Sequence, residues 1–74
     1  MEDKKMEILA ELWQLQNWFN IYYTQHEQKY NRLIALGKLT DNEENPQDKL
    51  NELYEEAEIK RRRIQELERM LEEL

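Results

Sequence analysis

Apolar and aromatic residues recur along the first half of the chain with the spacing of one helix face. Between Trp13 and Leu36 they return every three or four residues, and the segment contains neither Gly nor Pro. This i, i+3, i+4, i+7 pattern is typical of an amphipathic α-helix. We therefore predict a first helix from about residue 3 to residue 36, which at 1.5 Å per residue would be roughly 50 Å long.

Gly37 and the Asn45-Pro46 pair mark the ends of the two predicted helices. Gly37 is the only glycine, and helices often end where a glycine adopts the left-handed conformation. Asn45 is a favourable N-cap, and proline is favourable at the first helical position. We therefore predict a loop over residues 37–45 and a second helix from about residue 46 to residue 73. A loop of this length favours an antiparallel hairpin.

The second helix has a narrower apolar pattern, a heptad repeat. Its two seam positions are filled by Leu50, Ala57, Ile64 and Leu71, and by Leu53, Lys60, Leu67 and Leu74. A repeat of 3.5 residues selects left-handed coiled-coil packing. The expected fold class is all-α, an antiparallel and coiled-coil-like two-helix hairpin that forms a single domain of 74 residues.

The first helix presents a wider apolar surface than this seam can cover. Five of the seven aromatic residues fall between Trp13 and Tyr23, and rings left in water would form a patch of the kind that marks an interface. A second copy would cover it and give a four-helix bundle of two hairpins; another protein is the other candidate partner. The predicted core and contact residues are Trp13, Trp18, Phe19, Tyr22, Tyr23 and Tyr30.

Composition limits the classes of partner and compartment. The chain has 11 basic and 17 acidic residues, a formal net charge of -6, and acidic chains have little general affinity for nucleic acids or anionic membranes. There is no Cys, no apolar run that resembles a signal peptide, and none near the roughly 20 residues of a membrane span. We expect a soluble, cytoplasmic protein that does not bind membranes.

No group of residues suggests catalysis. His26 is the only histidine, and the chain contains neither Ser nor Cys, so a histidine-activated nucleophile of either type is excluded. His26 falls on the apolar stripe beside Phe19 and Tyr30, and lone polar seam residues commonly set helix register. We expect His26 to hydrogen-bond a Tyr, Gln or Glu of a neighbouring helix, and we expect no enzymatic activity.

Metal and cofactor sites are not indicated either. Di-metal sites in helical bundles use Glu-x-x-His pairs, and the residue three before His26 is Tyr23. Residues 41–52 imitate the ligand spacing of a calcium-binding loop, but the sixth position, which requires Gly, is Pro46. We expect an acidic, solvated turn there, and no bound metal or cofactor.

Lys60 to Arg63 form the only basic cluster. Four consecutive residues spread around most of a helix, so ion pairs within the chain are the expected role, with Lys60 extending out of the seam. The alternative is a small dimeric regulator that binds nucleic acid through Arg61, Arg62 and Arg63. RNA-binding bundles of the ROP type are also dimers of short hairpins, although the acidic net charge weakens this interpretation.

An ordered pattern of residues extends over both helices, from about residue 11 to residue 68. It consists of an aromatic pair, spaced Tyr and Gln, a Tyr-x-Arg, a Leu-Gly and then a Leu/Ala/Arg/Ile heptad helix. Its residues are Trp18-Phe19, Tyr22, Gln25, Gln28, Tyr30, Arg32, Leu36-Gly37, Leu50, Leu53, Ala57, Arg63-Ile64 and Glu66-Leu67. In this pattern the chain resembles small helical-hairpin proteins encoded in prophages and tailed phages of Gram-positive bacteria. The resemblance implies a virion-assembly or accessory role and assigns no catalytic residue.

The expected function is non-enzymatic protein–protein interaction or assembly. A homodimer is the first candidate assembly, and a complex with another protein is the second. The resemblance adds a phage or prophage setting, in which the chain would be a structural or accessory protein.

Overall fold

The chain folds into two long helical arms that run antiparallel to each other. The computed structural model describes residues 2–74, which leaves Met1 outside the description. The first arm consists of α1 (Glu2–Asn17), a π-helical segment (Trp18–Tyr23) and α2 (Thr24–Leu36), and the second arm is α3 (Pro46–Glu73). Within residues 2–74 there is no strand, and the molecule measures 52 × 17 × 16 Å. The prediction of an all-α fold with two packed helices is confirmed.

The π-helical segment corrects the prediction of one uninterrupted α-helix over residues 3–36. Between Trp18 and Tyr23 the backbone has the i→i+5 hydrogen bonding of a π-helix. The α-helix resumes at Thr24, so the arm remains continuous. Hydrophobic spacing did not predict this change because apolar residues spaced three to five apart fit both α-helical and π-helical turns.

The first arm ends in a Schellman motif at Gly37, where the sequence predicts a left-handed glycine. Gly37 has φ 67° and ψ 31°. Its N–H donates to the Ile34 carbonyl at 3.1 Å, and the Lys38 N–H donates to the Leu33 carbonyl at 2.9 Å. These two bonds satisfy carbonyls that the last helical turn would leave unpaired. The predicted helix end is confirmed at this residue.

The loop leads into a capped start of α3. The Thr40 N–H donates to the Glu44 carbonyl, and the Glu44 N–H donates to the Thr40 hydroxyl, each at 3.0 Å. Asn45 Oδ1 then accepts a hydrogen bond of 2.8 Å from the Gln47 N–H, and Pro46 begins the helix. The predicted N-cap and first helical residue of the second helix are therefore confirmed.

The core is a narrow seam between α3 and the first arm. The buried hydrophobic side chains among the described residues are Ile8, Leu12, Leu50, Leu53, Ala57 and Leu67. Leu67 packs against Ile8 and Leu12, and the other three α3 residues lie toward the loop end. Leu74 was predicted in the seam but is 63% exposed, because α3 ends one residue earlier, at Glu73.

Truncation of Leu67 should destabilise the hairpin because this side chain is 1% exposed inside the seam. We expect Leu67→Ala to lower the free energy of unfolding by about 2–5 kcal/mol. Ile59→Ala is the matched control, since Ile59 is 68% exposed on the same helix and should change stability by less than about 0.5 kcal/mol. Urea unfolding followed by circular dichroism, at one fixed protein concentration, measures both. Equal effects of the two substitutions would contradict the placement of the core.

Candidate interaction surface

Two side chains that follow the π-helical segment hydrogen-bond to carbonyls within it. The Thr24 hydroxyl donates to the Phe19 carbonyl, five residues earlier, at 3.0 Å. His26 Nδ1 lies 2.8 Å from the Tyr22 carbonyl oxygen, and because a carbonyl only accepts, Nδ1 carries the hydrogen. Both bonds give the backbone extra donors where the helical pattern changes from α to π and back. They stabilise the segment that orients most of the aromatic side chains.

His26 therefore bonds to its own helix, which corrects the predicted hydrogen bond to a neighbouring helix. Its ring stacks on that of Tyr22, with centroids 3.8 Å apart and planes inclined by 19°. A carbonyl four residues earlier on the same helix is within reach of the imidazole, so no second helix is needed to satisfy Nδ1. His26 thus holds the backbone of the first arm at Tyr22. Tyr30, its predicted neighbour on the apolar stripe, lies 6.0 Å away between ring centroids.

The aromatic residues of the first arm pack mainly against one another. Trp18, Tyr22, His26 and Tyr30 form a column, which we call the aromatic column, with successive ring centroids 5.6, 3.8 and 6.0 Å apart. Beside it, Phe19 and Tyr23 contact each other at 5.6 Å and Trp18 at 4.9 and 5.8 Å. Residues four apart lie on one helix face, and in the π-helical segment residues five apart do so as well, so Trp18 meets both tyrosines.

The second arm covers these rings only in part. Trp13 is 66% exposed and Tyr22 is 44% exposed. The other four predicted contact residues are half-buried: Trp18, Phe19, Tyr23 and Tyr30. Neither α2 nor the π-helical segment contributes a fully buried residue. The prediction that the first arm has more aromatic surface than its partner helix can cover is confirmed.

Part of the cover comes from the basic cluster of α3. The Lys60 ammonium lies 5.0 Å from the centre of the Trp18 ring, and the Arg61 guanidinium lies 5.3 Å from Phe19 and 6.0 Å from Tyr23. These distances are those of cation–π contacts. Sequence analysis missed them because their formation depends on the register between the two arms. Lys60 also pairs with Glu56 of its own helix at 3.5 Å.

The remaining two residues of the basic cluster form ion pairs. Arg62 pairs with Glu58 at 3.1 Å, and Arg63 pairs with Glu66 at 3.0 Å, both along α3. Arg63 also reaches across the hairpin to Glu11 of α1 through Nε and, at 3.0 Å, through Nη2. Intrachain ion pairs, the role that the sequence predicts for this cluster, are therefore confirmed for Lys60, Arg62 and Arg63.

The Glu11–Arg63 pair is a two-bond contact that joins the arms. Its two parallel hydrogen bonds fit the planar guanidinium to the carboxylate. The hydrogen bond from Arg63 holds the pKa of Glu11 below its ordinary value of 4.5, against a smaller opposing effect of desolvation. The same bond raises the pKa of Arg63. The pair therefore fixes the register of the hairpin and turns the Glu11 charge toward α3.

A second apolar surface lies on α1, outside the seam. Met6 is 64% exposed, Leu9 is 41% exposed and Trp13 is 66% exposed. Their spacing of three and four residues places them on one side of the helix, which we call the apolar face of α1. Trp13 is a contact residue predicted from the sequence, whereas Met6 and Leu9 were not assigned to an interface, although this spacing is visible in the sequence. Further along the arm, Ile21 is 56% exposed.

Other features of the described chain are less distinctive. An open groove of about 280 Å³ runs along α2, lined by Gln25, Gln28, Lys29, Arg32 and Leu33. All five residues belong to one helix, so the groove is a space between side chains of a single surface.

Within residues 2–74, no three His, Cys, Asp or Glu side chains lie close enough together to hold a metal ion. Nor is any helix in that range long and apolar enough to cross a membrane.

Comparison with known proteins adds no relative. The chain matches no protein-family model, none of the curated proteins and no solved structure. What the apolar face of α1 and the aromatic column do must therefore be inferred from their own geometry.

Removal of the Thr24 hydroxyl should weaken the π-helical segment. Thr24→Val keeps the branched shape but cannot donate to the Phe19 carbonyl, whereas Thr24→Ser keeps the hydroxyl. Because Thr24 is exposed, we expect Val to cost about 0.5–1 kcal/mol in unfolding free energy and to change the near-ultraviolet circular dichroism of the stacked rings. The serine variant should retain the parent spectrum. Identical spectra for all three proteins would contradict this role of Thr24.

The stability contributed by the Glu11–Arg63 pair should depend on pH. Since the folded pKa of Glu11 is lowered, its contribution is fully present above the ordinary value of 4.5 and is lost as the pH falls through the folded pKa. Glu11→Gln should therefore destabilise the protein at neutral pH, and the difference from the parent should shrink in acid. Urea unfolding across this pH range measures it.

Glu58→Gln is the matched control for that experiment. Glu58 pairs with Arg62 along one exposed face of α3, and such surface pairs contribute little. A control that destabilises the protein as much as Glu11→Gln, or a Glu11→Gln effect that persists unchanged in acid, would contradict the special role of the pair that joins the arms.

Proposed function

We propose that this protein is a non-enzymatic assembly module that binds other protein chains through the apolar face of α1 and the exposed rings beside it. The observation that carries the proposal is the exposure of Trp13, at 66%, on the same face as Met6 and Leu9. A fully covered tryptophan buries on the order of 150–250 Å². Contiguous apolar patches of a few hundred Å² mark interaction sites on soluble proteins, and Trp is enriched at the energetic centres of interfaces.

The size of the core also supports association. Among the described residues only six hydrophobic side chains are buried, and the first arm contributes just Ile8 and Leu12. Chains of this size bury a smaller fraction of their surface than larger domains and often depend on oligomerisation. In our proposal two hairpins associate as a homodimer and form a four-helix bundle, which covers the first arms of both copies.

The biological setting is part of the same proposal. The order of aromatic, Tyr-x-Arg, Leu-Gly and heptad residues resembles that of small hairpin proteins of prophages and tailed phages. We therefore propose a structural or accessory role in such a setting. A module of this kind functions by binding, so its activity depends on the exposed surface and on the stability of the hairpin that presents it.

Nucleic-acid binding is the less favoured alternative. Arg61 lies over two aromatic rings, and Arg62 and Arg63 pair with carboxylates of the same chain. A phosphate backbone would have to displace these contacts, and the net charge of -6 would oppose its approach. Protein–protein association requires neither change.

Trp13→Ala should weaken self-association and leave the hairpin folded. The side chain is largely outside the seam, so circular dichroism should remain helical, whereas loss of an interface tryptophan commonly costs about 2 kcal/mol or more. We expect the dimer dissociation constant to rise by roughly thirtyfold or more, measured by sedimentation equilibrium. Ile59→Ala is the matched control, because Ile59 is equally exposed, at 68%, but lies on α3.

Two outcomes would contradict the proposal. In the first, the parent protein is monomeric at every concentration and binds no other chain. In the second, Ile59→Ala weakens the dimer as strongly as Trp13→Ala. The first outcome removes self-association, and the second removes the apolar face of α1 from the interface.

A further inference from the structure

One stretch of the first arm is almost free of charge. The chain contains 28 charged residues among 74 in total, yet residues 8–25 include a single one, Glu11. We call residues 8–25 the charge-poor stretch. It spans most of α1 and the whole π-helical segment. Because charged residues are depleted in the cores of interfaces while aromatic residues are enriched there, this composition matches a surface that is buried against another protein.

The single charge of the stretch does not face the open side. Glu11 is held by two hydrogen bonds from Arg63 of α3, so its carboxylate lies on the side of the hairpin partner. The exposed side chains elsewhere in the stretch are apolar, such as Leu9, Trp13 and Ile21, or polar but uncharged, such as Gln16, Asn20 and Thr24. A surface of rings, aliphatic groups and uncharged polar groups can be buried without burying an unpaired charge, which would cost several kcal/mol of binding free energy.

The two arms also differ in net charge. Residues 1–36 carry four basic and five acidic side chains, whereas residues 37–74 carry seven basic and twelve acidic ones. Nearly all of the net charge of the protein is therefore on the loop and α3. Two copies that meet through their α3 helices would bring like charges together, and two copies that meet through their first arms would keep those charges apart.

We infer that the charge-poor stretch docks against the same stretch of a second copy, with the two α3 helices on the outer sides of the assembly. This inference rests on the proposed self-association and specifies which surfaces meet. A two-fold interface must be complementary to itself. A surface without charge meets this requirement directly, since apolar groups pack on apolar groups and amides donate to and accept from amides. A cationic partner would find its complement on α3.

Docking through a surface without charge determines how the dimer responds to ionic strength. An interface without ion pairs has no attractive charge contact for salt to screen, whereas the repulsion between two chains of net charge -6 is screened. The dissociation constant of the dimer should therefore stay constant or fall as salt is added. Attachment through the basic cluster, to nucleic acid or to an acidic surface, would weaken steeply with salt.

Single-cysteine cross-linking tests which surfaces meet, since the chain has no cysteine of its own. Ala10→Cys, Gln16→Cys and Asn20→Cys place a thiol at successive exposed positions of the charge-poor stretch, and Glu55→Cys is the matched control at an exposed position of α3. Each variant is checked for helicity and for its dissociation constant under reducing conditions, and is then treated with a short bis-maleimide at one concentration above that constant. We expect covalent dimers from at least one arm position and none from Glu55→Cys.

The outcomes separate this inference from the proposed function. The protein could form a dimer under reducing conditions and cross-link through Glu55→Cys but through none of the three arm positions. This result would overturn the docking inference and leave self-association intact. A dissociation constant that rises with salt would also overturn it. Absence of any dimer by sedimentation, with or without salt, would instead remove self-association itself. Cross-linking confined to the arm positions, with a constant or falling dissociation constant in salt, supports both.

Discussion

The structure depends on a single narrow seam along α3 that has to hold a much wider first arm. Leu50, Leu53, Ala57 and Leu67 fill this seam and are buried. A heptad seam is about two residues wide, whereas the first arm carries six of the seven aromatic rings. The first arm consequently buries few residues completely, and many of its large side chains are shared between the hairpin and the solvent.

Several local features of the hairpin reduce the exposure of the aromatic rings that the seam leaves uncovered. The π-helical segment brings Trp18 into contact with both Tyr22 and Tyr23, so that each of these rings is partly covered by another. From the other arm, Lys60 and Arg61 extend over the rings, where their aliphatic stems can shield apolar surface and their charges face the ring electrons. The bonds from Thr24 and His26 hold the backbone in the geometry that makes these contacts possible.

The charged residues that hold the hairpin together lie apart from the surface that is proposed to bind another chain. Glu11 and Arg63 join the arms, while residues 8–17 of α1 carry no ionic group other than Glu11. The many carboxylates of α3 keep that helix hydrated and discourage contacts through it. The proposed assembly module thus has one surface suited to burial and one suited to water, and the same hairpin presents both.

The sequence by itself determined the features that depend on neighbouring residues. Gly37 ends the first arm because glycine tolerates a positive φ, Asn45-Pro46 starts α3 because both residues suit a helix N-terminus, and the heptad pattern identifies the seam. The incomplete cover of Trp13, Trp18 and some of the tyrosines could also be predicted. Only the tertiary structure decided the π-helical segment, the bond of His26 to its own backbone and the cation–π contacts of Lys60 and Arg61. These depend on small differences in backbone hydrogen bonding and on the register between arms distant in sequence, to which hydrophobic spacing is insensitive.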